Sequence, residues 1–323
     1  MLKISIITTT YNHKDFIWNT IESVINQTFS NRELLIWDDS PNDETWDIIE
    51  SYIKKYPNKI KAWHHNPNKW IVDNMNFLIE KISNDSNFVV FLEWDDILKS
   101  NYIDEKLKIF EKYSNVNLVY NNIDFINACW KTIQKDIFWF RHVRTYKNQI
   151  INPNDFISSN AWPIISRSTI MIRKGILDKY IIKSLFPQNK SYAISDYDFC
   201  FNVSTENKVY YLNDSLTLYR RHSSNLSAWN INLLKELSAL VEEYYKLWKI
   251  SKKTYNNKLC QNNVMIALMF LEKWDKKQSF EYLKKSFQFS LLNGMFFKVW
   301  TILLLLMPKK INKKILSKIV KRE

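Results

Sequence analysis

Phe88-Val89-Val90-Phe91-Leu92-Glu93-Trp94-Asp95-Asp96 is the stretch on which the fold turns. Five apolar residues in a row, rich in β-formers and too short for a helix, suit a central strand of a parallel sheet that is buried on both faces. The run stops abruptly at three carboxylates. Working outward, the same grammar repeats. Lys3 to Thr9 is β-rich and ends in Thr9-Thr10-Tyr11-Asn12, after which Asp15 to Ile25 carries apolar residues at helical spacing. Glu33 to Trp37 stops at Asp38-Asp39-Ser40-Pro41, and Glu44 to Tyr56 reads as an amphipathic helix ended by Pro57. Ile60 to Trp63 gives a third strand and Ile71 to Ile82 a third helix.

Strands alternating with helices of ten to fifteen residues imply β-α-β crossovers and a doubly wound α/β sheet, whose ligands bind at the carboxyl ends of the strands. The segments after the first, second and fourth strands therefore line one crevice. Further strands are expected at Asn117 to Tyr120, Ser168 to Ile172 and Lys208 to Leu212. From about Asn230 only helical patterns occur, at Leu233 to Ile250, Asn263 to Lys273, Ser279 to Leu292 and Ile311 to Val320. The expected organisation is a catalytic domain over residues 1–228 and a helical, basic region over 229–323.

Composition narrows the chemistry. Two glycines in 323 residues, Gly175 and Gly294, exclude a Gly-rich phosphate loop of either the P-loop or the dinucleotide type. Cys129, Cys200 and Cys260 form no C-x-x-C pair and no zinc cage of usual spacing, as expected of a reduced, intracellular protein. The opening Met1-Leu2-Lys3 does not read as a signal peptide. The net charge of +13 is lopsided: from Lys246 onward eighteen Lys or Arg face four acids, a net of +14, which leaves residues 1–245 at −1. A near-neutral body with a basic tail suits an anionic surface, phospholipid or nucleic acid. The apolar run Val299 to Met307 has nine residues, where a membrane span needs about 20.

Clustered Asp oxygens at strand ends, without histidine or cysteine partners, are hard ligands suited to Mg²⁺ or Mn²⁺ held against substrate phosphates. Each pair also has a local reading: Asp95-Asp96 as the N-cap of a helix from Ile97 to Phe110, and Asp38-Asp39 as a turn before the helix from Glu44. The two pairs gain force together, because both follow apolar strands in one alternating array.

The motifs Ile6-Ile7-Thr8-Thr9-Thr10-Tyr11-Asn12, Ser23-Val24-Ile25-Asn26-Gln27-Thr28-Phe29, Glu33-Leu34-Leu35-Ile36-Trp37-Asp38-Asp39-Ser40 and Asn42-Asp43-Glu44-Thr45 resemble the amino-terminal half of family 2 glycosyltransferases. The resemblance covers roughly residues 3–225 and is strongest to residue 110. It implies the GT-A fold, Rossmann-like with a mostly parallel sheet flanked by helices. Glu93-Trp94-Asp95-Asp96 falls at that family's D-x-D-type motif, and Ser195-Asp196-Tyr197-Asp198 at its E-D-x-D-like segment. The resemblance further implies that Thr9, Tyr11, Asn12, Asp38, Asp39, Asn74 and Asp95 bind the nucleotide of a nucleotide-sugar, UDP-linked or dTDP-linked, with Asp39 accepting from an imide N–H. Asp95, Asp96 and His222 are the implied ligands of Mn²⁺ or Mg²⁺. Asp196 is the implied general base, with Asp198 next in line.

This chain departs from the family pattern in three places. Position 93 is Glu, followed by the bulky Trp94; Asp73-Asn74-Met75-Asn76 stands where R-N-x-G is common; Ser195 replaces a Glu beside the base. Trp94, Trp139 and Trp162 are candidate faces for a sugar ring. Phe296-Phe297, Trp300 and the Leu run, followed by the Lys-rich residues 309–322, form the pattern of an interfacial helix on an anionic leaflet. The expected partners are thus a nucleotide-sugar donor, a glycan or lipid-linked glycan acceptor and the inner face of a cytoplasmic membrane, with no nucleic acid. Two other readings use the same residues: a nucleotidyl- or phosphotransferase built on the carboxylates, and a non-catalytic protein whose basic tail binds nucleic acid or membrane.

Overall fold

The computed structural model describes residues 1–64, 71–134, 148–152, 166–178, 195–222, 231–290 and 295–306. They fall into two compact units, one within Met1–Asn152 and Ala161–Asn225, the other within Leu226–Glu323.

The first unit is built on one sheet. β1 (Ile4–Thr10), β2 (Arg32–Asp38), β3 (Ile60–His64) and β4 (Phe88–Phe91) run parallel, with β1 between β2 and β4. The remaining strands are β5 (Ile97–Leu98), β6 (Val116–Asn127), β7 (Thr132–Gln134), β8 (Gln149–Ile151), β9 (Ile170–Arg173) and β10 (Lys208–Arg221). The strand order is β3-β2-β1-β4-β9-β6-β10-β5, with β7 beside β6 and β8 beside β10. β9 is antiparallel to both β4 and β6, while β10 is parallel to β6. The sheet is therefore mostly parallel.

Every residue of β1, β2 and β4 is buried, because helices cover this part of the sheet. Ile4, Ile6, Leu34, Ile36 and Val90 pack in one core with Ile17, Ile21 and Val24 of α1 (Ile17–Ile25) and Ile49 of α2 (Glu44–Lys55). Each such side chain contributes roughly 1.5–3 kcal/mol by leaving water. α3 (Ile71–Glu80) precedes β4, and α4 (Tyr102–Lys112) follows β5. α5 (Ser195–Glu206) precedes β10, and its Phe199 ring meets that of Phe91 edge-on, 5.9 Å between centroids.

One local expectation is corrected. Ile97-Leu98 forms β5, paired antiparallel to β10, and the helix begins only at Tyr102 after Asn101. Asp95-Asp96 is thus no helix cap, and the pair is left to the turn after β4.

In the second unit α6 (Ile231–Lys246), α7 (Lys252–Glu272), α8 (Lys276–Phe289) and α9 (Met295–Leu306) follow in order. Val264, Leu268 and Leu271 of α7 pack with Leu304 of α9. No helix among the described residues is long and apolar enough to cross a membrane. The helix expected at Ile311 to Val320 lies outside the described residues.

Candidate active site at the carboxyl edge of the sheet

The turns after β1, β2 and β4 meet at one edge of the sheet, because β1 lies between the other two strands. Asn12 takes a left-handed conformation, φ 57°, which lets the chain turn sharply out of β1. Its N–H donates to Ser40 Oγ at 2.8 Å, and Ser40 Oγ donates to Asp38 Oδ1 at 2.5 Å. Asp38 is fully buried, and burial pushes its carboxyl above the usual range. Asp38 therefore serves the turn itself. Asp39 is held from two sides: its N–H donates to the Thr10 carbonyl at 3.0 Å, and its Oδ2 accepts from Asn74 Nδ2 of α3 at 2.9 Å. Thr9 is buried, whereas Tyr11 is 42% exposed at the mouth of the edge.

At the β4 turn the carboxylates separate by role. Glu93 Oε1 accepts from Arg167 Nε at 2.5 Å, and the Glu93 N–H donates to Ser168 Oγ at 3.0 Å. Glu at position 93 thus anchors the turn to the segment before β9. Asp96 has no exposed surface; Oδ1 accepts the Arg220 N–H at 3.0 Å and Oδ2 the Ser166 hydroxyl at 3.2 Å. Burial, with Asp95 alongside, holds its carboxyl well above the ordinary range. Asp95 turns the other way, and its Oδ2 lies 2.9 Å from His222 Nε2, the two side chains being 8% and 7% exposed. Burial and the neighbouring Arg220 lower the His222 pKa, which favours the neutral, ligating imidazole.

The Asp95–His222 pair fits a divalent cation. Asp95 Oδ2 and His222 Nε2 are in hydrogen-bond contact, and their separation is also that of two ligands each ~2.1 Å from one ion at right angles. The carboxylate oxygen suits Mn²⁺ or Mg²⁺, while the imidazole beside it speaks against Mg²⁺, the harder of the two. Among the described residues no third His, Cys, Asp or Glu joins them, so the other positions would belong to substrate oxygens and water.

Several residues that shape the site were not singled out from sequence. His13 lies flat on Trp94, ring centroids 3.1 Å apart and planes within 1°, and burial pushes its pKa down to about 3. Its Nδ1 accepts the Tyr11 N–H at 3.0 Å. Trp94 is buried against His13, Phe16 and His222, so its ring is a floor for the turn and offers no face to a sugar. Trp139 and Trp162 lie outside the described residues. Arg220 is fully buried: Nε donates to the Asp95 carbonyl at 2.8 Å, Nη1 to the carbonyls of Asn127 and Ala128, and Nη2 to Asn19 Oδ1. The sequence carried no signal for it, since most of its partners are backbone carbonyls.

The predicted base is less fully described. Asp196 lies in the first turn of α5, and its side chain is outside the described part of the structure. Asp198, on the same helix, is buried with Oδ1 accepting from Asn202 Nδ2 at 2.8 Å.

The family model for glycosyl transferase family 2 matches residues 5–180, more than half of the chain. The chain belongs to glycosyl transferase family 2. A glucosyltransferase of Escherichia coli, WfaP, described as UDP-Glc:alpha-D-GlcNAc-diphosphoundecaprenol beta-1,3-glucosyltransferase, is 36% identical over 118 residues, 35% of this chain and 45% of that protein. An uncharacterised glycosyltransferase of Nostoc is 27% identical over 69% of this chain and 66% of its own length. The chain thus spans between about half and two thirds of these relatives. Staphylococcus aureus TarS 1–349, solved in complex with UDP-GlcNAc, superposes with a TM-score of 0.64 over 99% of this chain and 90% of that one, at 15% identity. The mannosyltransferase PcManGT of Pyrobaculum calidifontis, solved with GDP-Man and Mn²⁺, gives a TM-score of 0.56 at 14% identity over 98% and 84% of the two chains. These likenesses establish the GT-A fold for this family 2 chain.

Proposed function

We propose that this chain is a metal-dependent, inverting glycosyltransferase that moves a sugar from a nucleotide-sugar, UDP-linked in preference to dTDP-linked, onto a hydroxyl of a glycan or lipid-linked glycan in bacterial surface polysaccharide synthesis. The observation that carries this reading is the belt along the carboxyl edge, with Asp39 and Asn74 at one pole and Asp95 with His222 at the other. Asp39, oriented by Asn74, accepts from the imide N–H of the base, while Thr9, Tyr11 and Asn12 line the nucleoside. Asp95 and His222 hold the cation, and Asp96 acts behind them by fixing the backbone of Arg220.

The residues of the chain then do the rest. Asp196 accepts the proton of the acceptor hydroxyl as its oxygen attacks C1, on the face opposite the departing nucleoside diphosphate, so the configuration at C1 inverts. An ordinary Asp, with a pKa near 3.9, is ionised at neutral pH and needs no tuning for that work. When bound, the divalent ion supplies Lewis-acid compensation for charge developing on the leaving group. The names of the similar proteins support a nucleotide-sugar donor and a polyprenyl-diphosphate acceptor. For location we propose the inner face of the cytoplasmic membrane. α9 supports this with Val299, Ile302, Leu303 and Leu306, all at least 40% exposed and spaced along one helical face.

Calorimetric titration of UDP, dTDP and GDP, with Mn²⁺ and then with EDTA, tests the reading. Metal-dependent binding of a uridine or thymidine diphosphate, weakened at least tenfold by Asp95→Ala, is expected. Failure of all three nucleotides to bind, or binding indifferent to EDTA and to Asp95→Ala, would overturn it.

A further inference from the structure

Two tryptophans stand in the open beside the Asp95 pole. Trp18 of α1 is 43% exposed and Trp130, at the tip of the β6–β7 hairpin, is 45% exposed, yet their rings lie only 5.5 Å apart with planes inclined at 49°. Exposed indoles on a soluble surface usually stand singly, and a pair held together marks a contact surface. The pair is built in from beneath. The buried Arg220 guanidinium lies 4.7 Å from the Trp130 ring centre and 4.8 Å from that of Phe16. The same Arg220 grips the Asp95 carbonyl and the hairpin carbonyls of Asn127 and Ala128. The hairpin is closed by Asn127, whose Oδ1 accepts the N–H groups of Cys129 and Lys131 at 3.0 and 2.9 Å. On the other side Asn19 Oδ1 receives Arg220, and Thr20 Oγ1 donates to the Trp94 and Asp96 carbonyls at 2.8 and 2.9 Å. Residues 18 and 130 are thus pinned to the metal pole through their immediate neighbours.

The sheet order gives the pair its meaning. The nucleoside pole sits at β2 and the diphosphate pole at β4, and β6, whose end leads into the turn bearing Trp130, lies on the far side of β4 from β2. On the family 2 reading, an acceptor ring beyond the diphosphate pole would lie on that side. We infer that Trp18 and Trp130 form a stacking subsite for a pyranose ring of the acceptor, one whose axial C–H bonds give it an apolar face. The occupant is a sugar ring because the platform is aromatic, exposed and continuous with the pole where transfer occurs. A ring of this kind lays its C–H face on indole while its equatorial hydroxyls stay in water. This inference rests on the family 2 reading for the identity of the two poles.

The test uses the full chain and cellotetraose, a gluco-configured oligosaccharide, as the probe, read by saturation-transfer NMR with and without UDP and Mn²⁺. The variants are Trp18→Ala, Trp130→Gly and the pair, with Trp248→Gly as the matched control, since Trp248 is 90% exposed and lies in the second unit. Thermal melting verifies that each is folded, and Gly at position 130 relieves a left-handed residue, φ 68°. The expected result is saturation transfer concentrated on the axial ring protons, reduced at least fivefold in the double variant and unchanged in Trp248→Gly. Equal transfer in wild type and double variant, no transfer to cellotetraose at all, or equal transfer to sorbitol, which has no ring face, would overturn the subsite. If UDP binds with metal but the sugar signal ignores both tryptophans, the subsite alone fails. If the sugar signal depends on them but no nucleotide binds, the donor reading fails instead.

Discussion

At the scale of single residues, the site divides carboxylates that look equivalent in sequence. Asp95 and Asp96 are adjacent, yet one faces His222 and the other is sealed against Arg220 and Ser166. Adjacent side chains in an extended turn point apart, and sequence alone does not say which one faces the ligand. Asp196→Asn is expected to lower turnover by roughly 10²–10⁴ while leaving UDP affinity within twofold, the size of a general-base contribution. Unchanged turnover would transfer attention to Asp198. A separate prediction concerns Lys258 of α7, whose pKa burial pushes down to about 8. In the unfolded chain it titrates near 10.4, so between these values the unfolded state holds the proton and the folded state does not, and stability rises with pH across that window. At pH 7 the folded state still bears the burden of a buried ammonium. Lys258→Met should therefore flatten the rise of the urea midpoint between pH 8 and pH 10; a rise as steep as that of the wild type would refute the assignment.

Among the elements, the first strands and helices were legible because each follows its period cleanly. β1, β2, β3 and β4 appear within a residue or so of the apolar runs that announce them. β6 and β10 extend well past their apolar starts, for a physical reason: Asn121 and Asn122 are buried polar residues inside β6. Asn121 Nδ2 donates to Thr217 Oγ1 at 3.1 Å, while β10 bulges around Ser215. A strand whose polar residues pair across the ladder breaks the hydrophobic signal without breaking the strand. Scarcity of glycine also leaves its mark on helix ends. After α6, Trp248 takes φ 58° while the Lys249 N–H reaches back to the Tyr244 carbonyl at 2.9 Å, a closure that usually employs Gly. Because Trp248 is 90% exposed, Trp248→Gly removes little contact and should stabilise the chain by on the order of 0.5–1 kcal/mol in urea unfolding. A loss of stability would mean that the indole packs in solution.

For the whole molecule, charge and apolar pattern converge on the second unit. The exposed face of α9 is followed in sequence by Lys309, Lys310, Lys313, Lys314, Lys318, Lys321 and Arg322. The 323-residue chain should sediment with vesicles containing phosphatidylglycerol and less with neutral ones. Ile302→Glu, Leu303→Glu and Leu306→Glu together should cut that recovery at least fivefold; equal recovery would exclude the face as an anchor. The α/β class and the gathering of the turns after β1, β2 and β4 at one sheet edge were legible in advance because alternation of short apolar runs with amphipathic helices admits few other architectures. The network around Arg220 was not, because its partners are backbone carbonyls far apart in the chain, which leave no trace in residue types. That feature has an evolutionary corollary. An arginine that reads carbonyls at residues 95, 127 and 128 fixes the path of the hairpin through its backbone, and Trp130 is the tip side chain whose ring it meets. Tip residues other than Trp130 can therefore be exchanged among descendants without disturbing the backbone path that Arg220 holds.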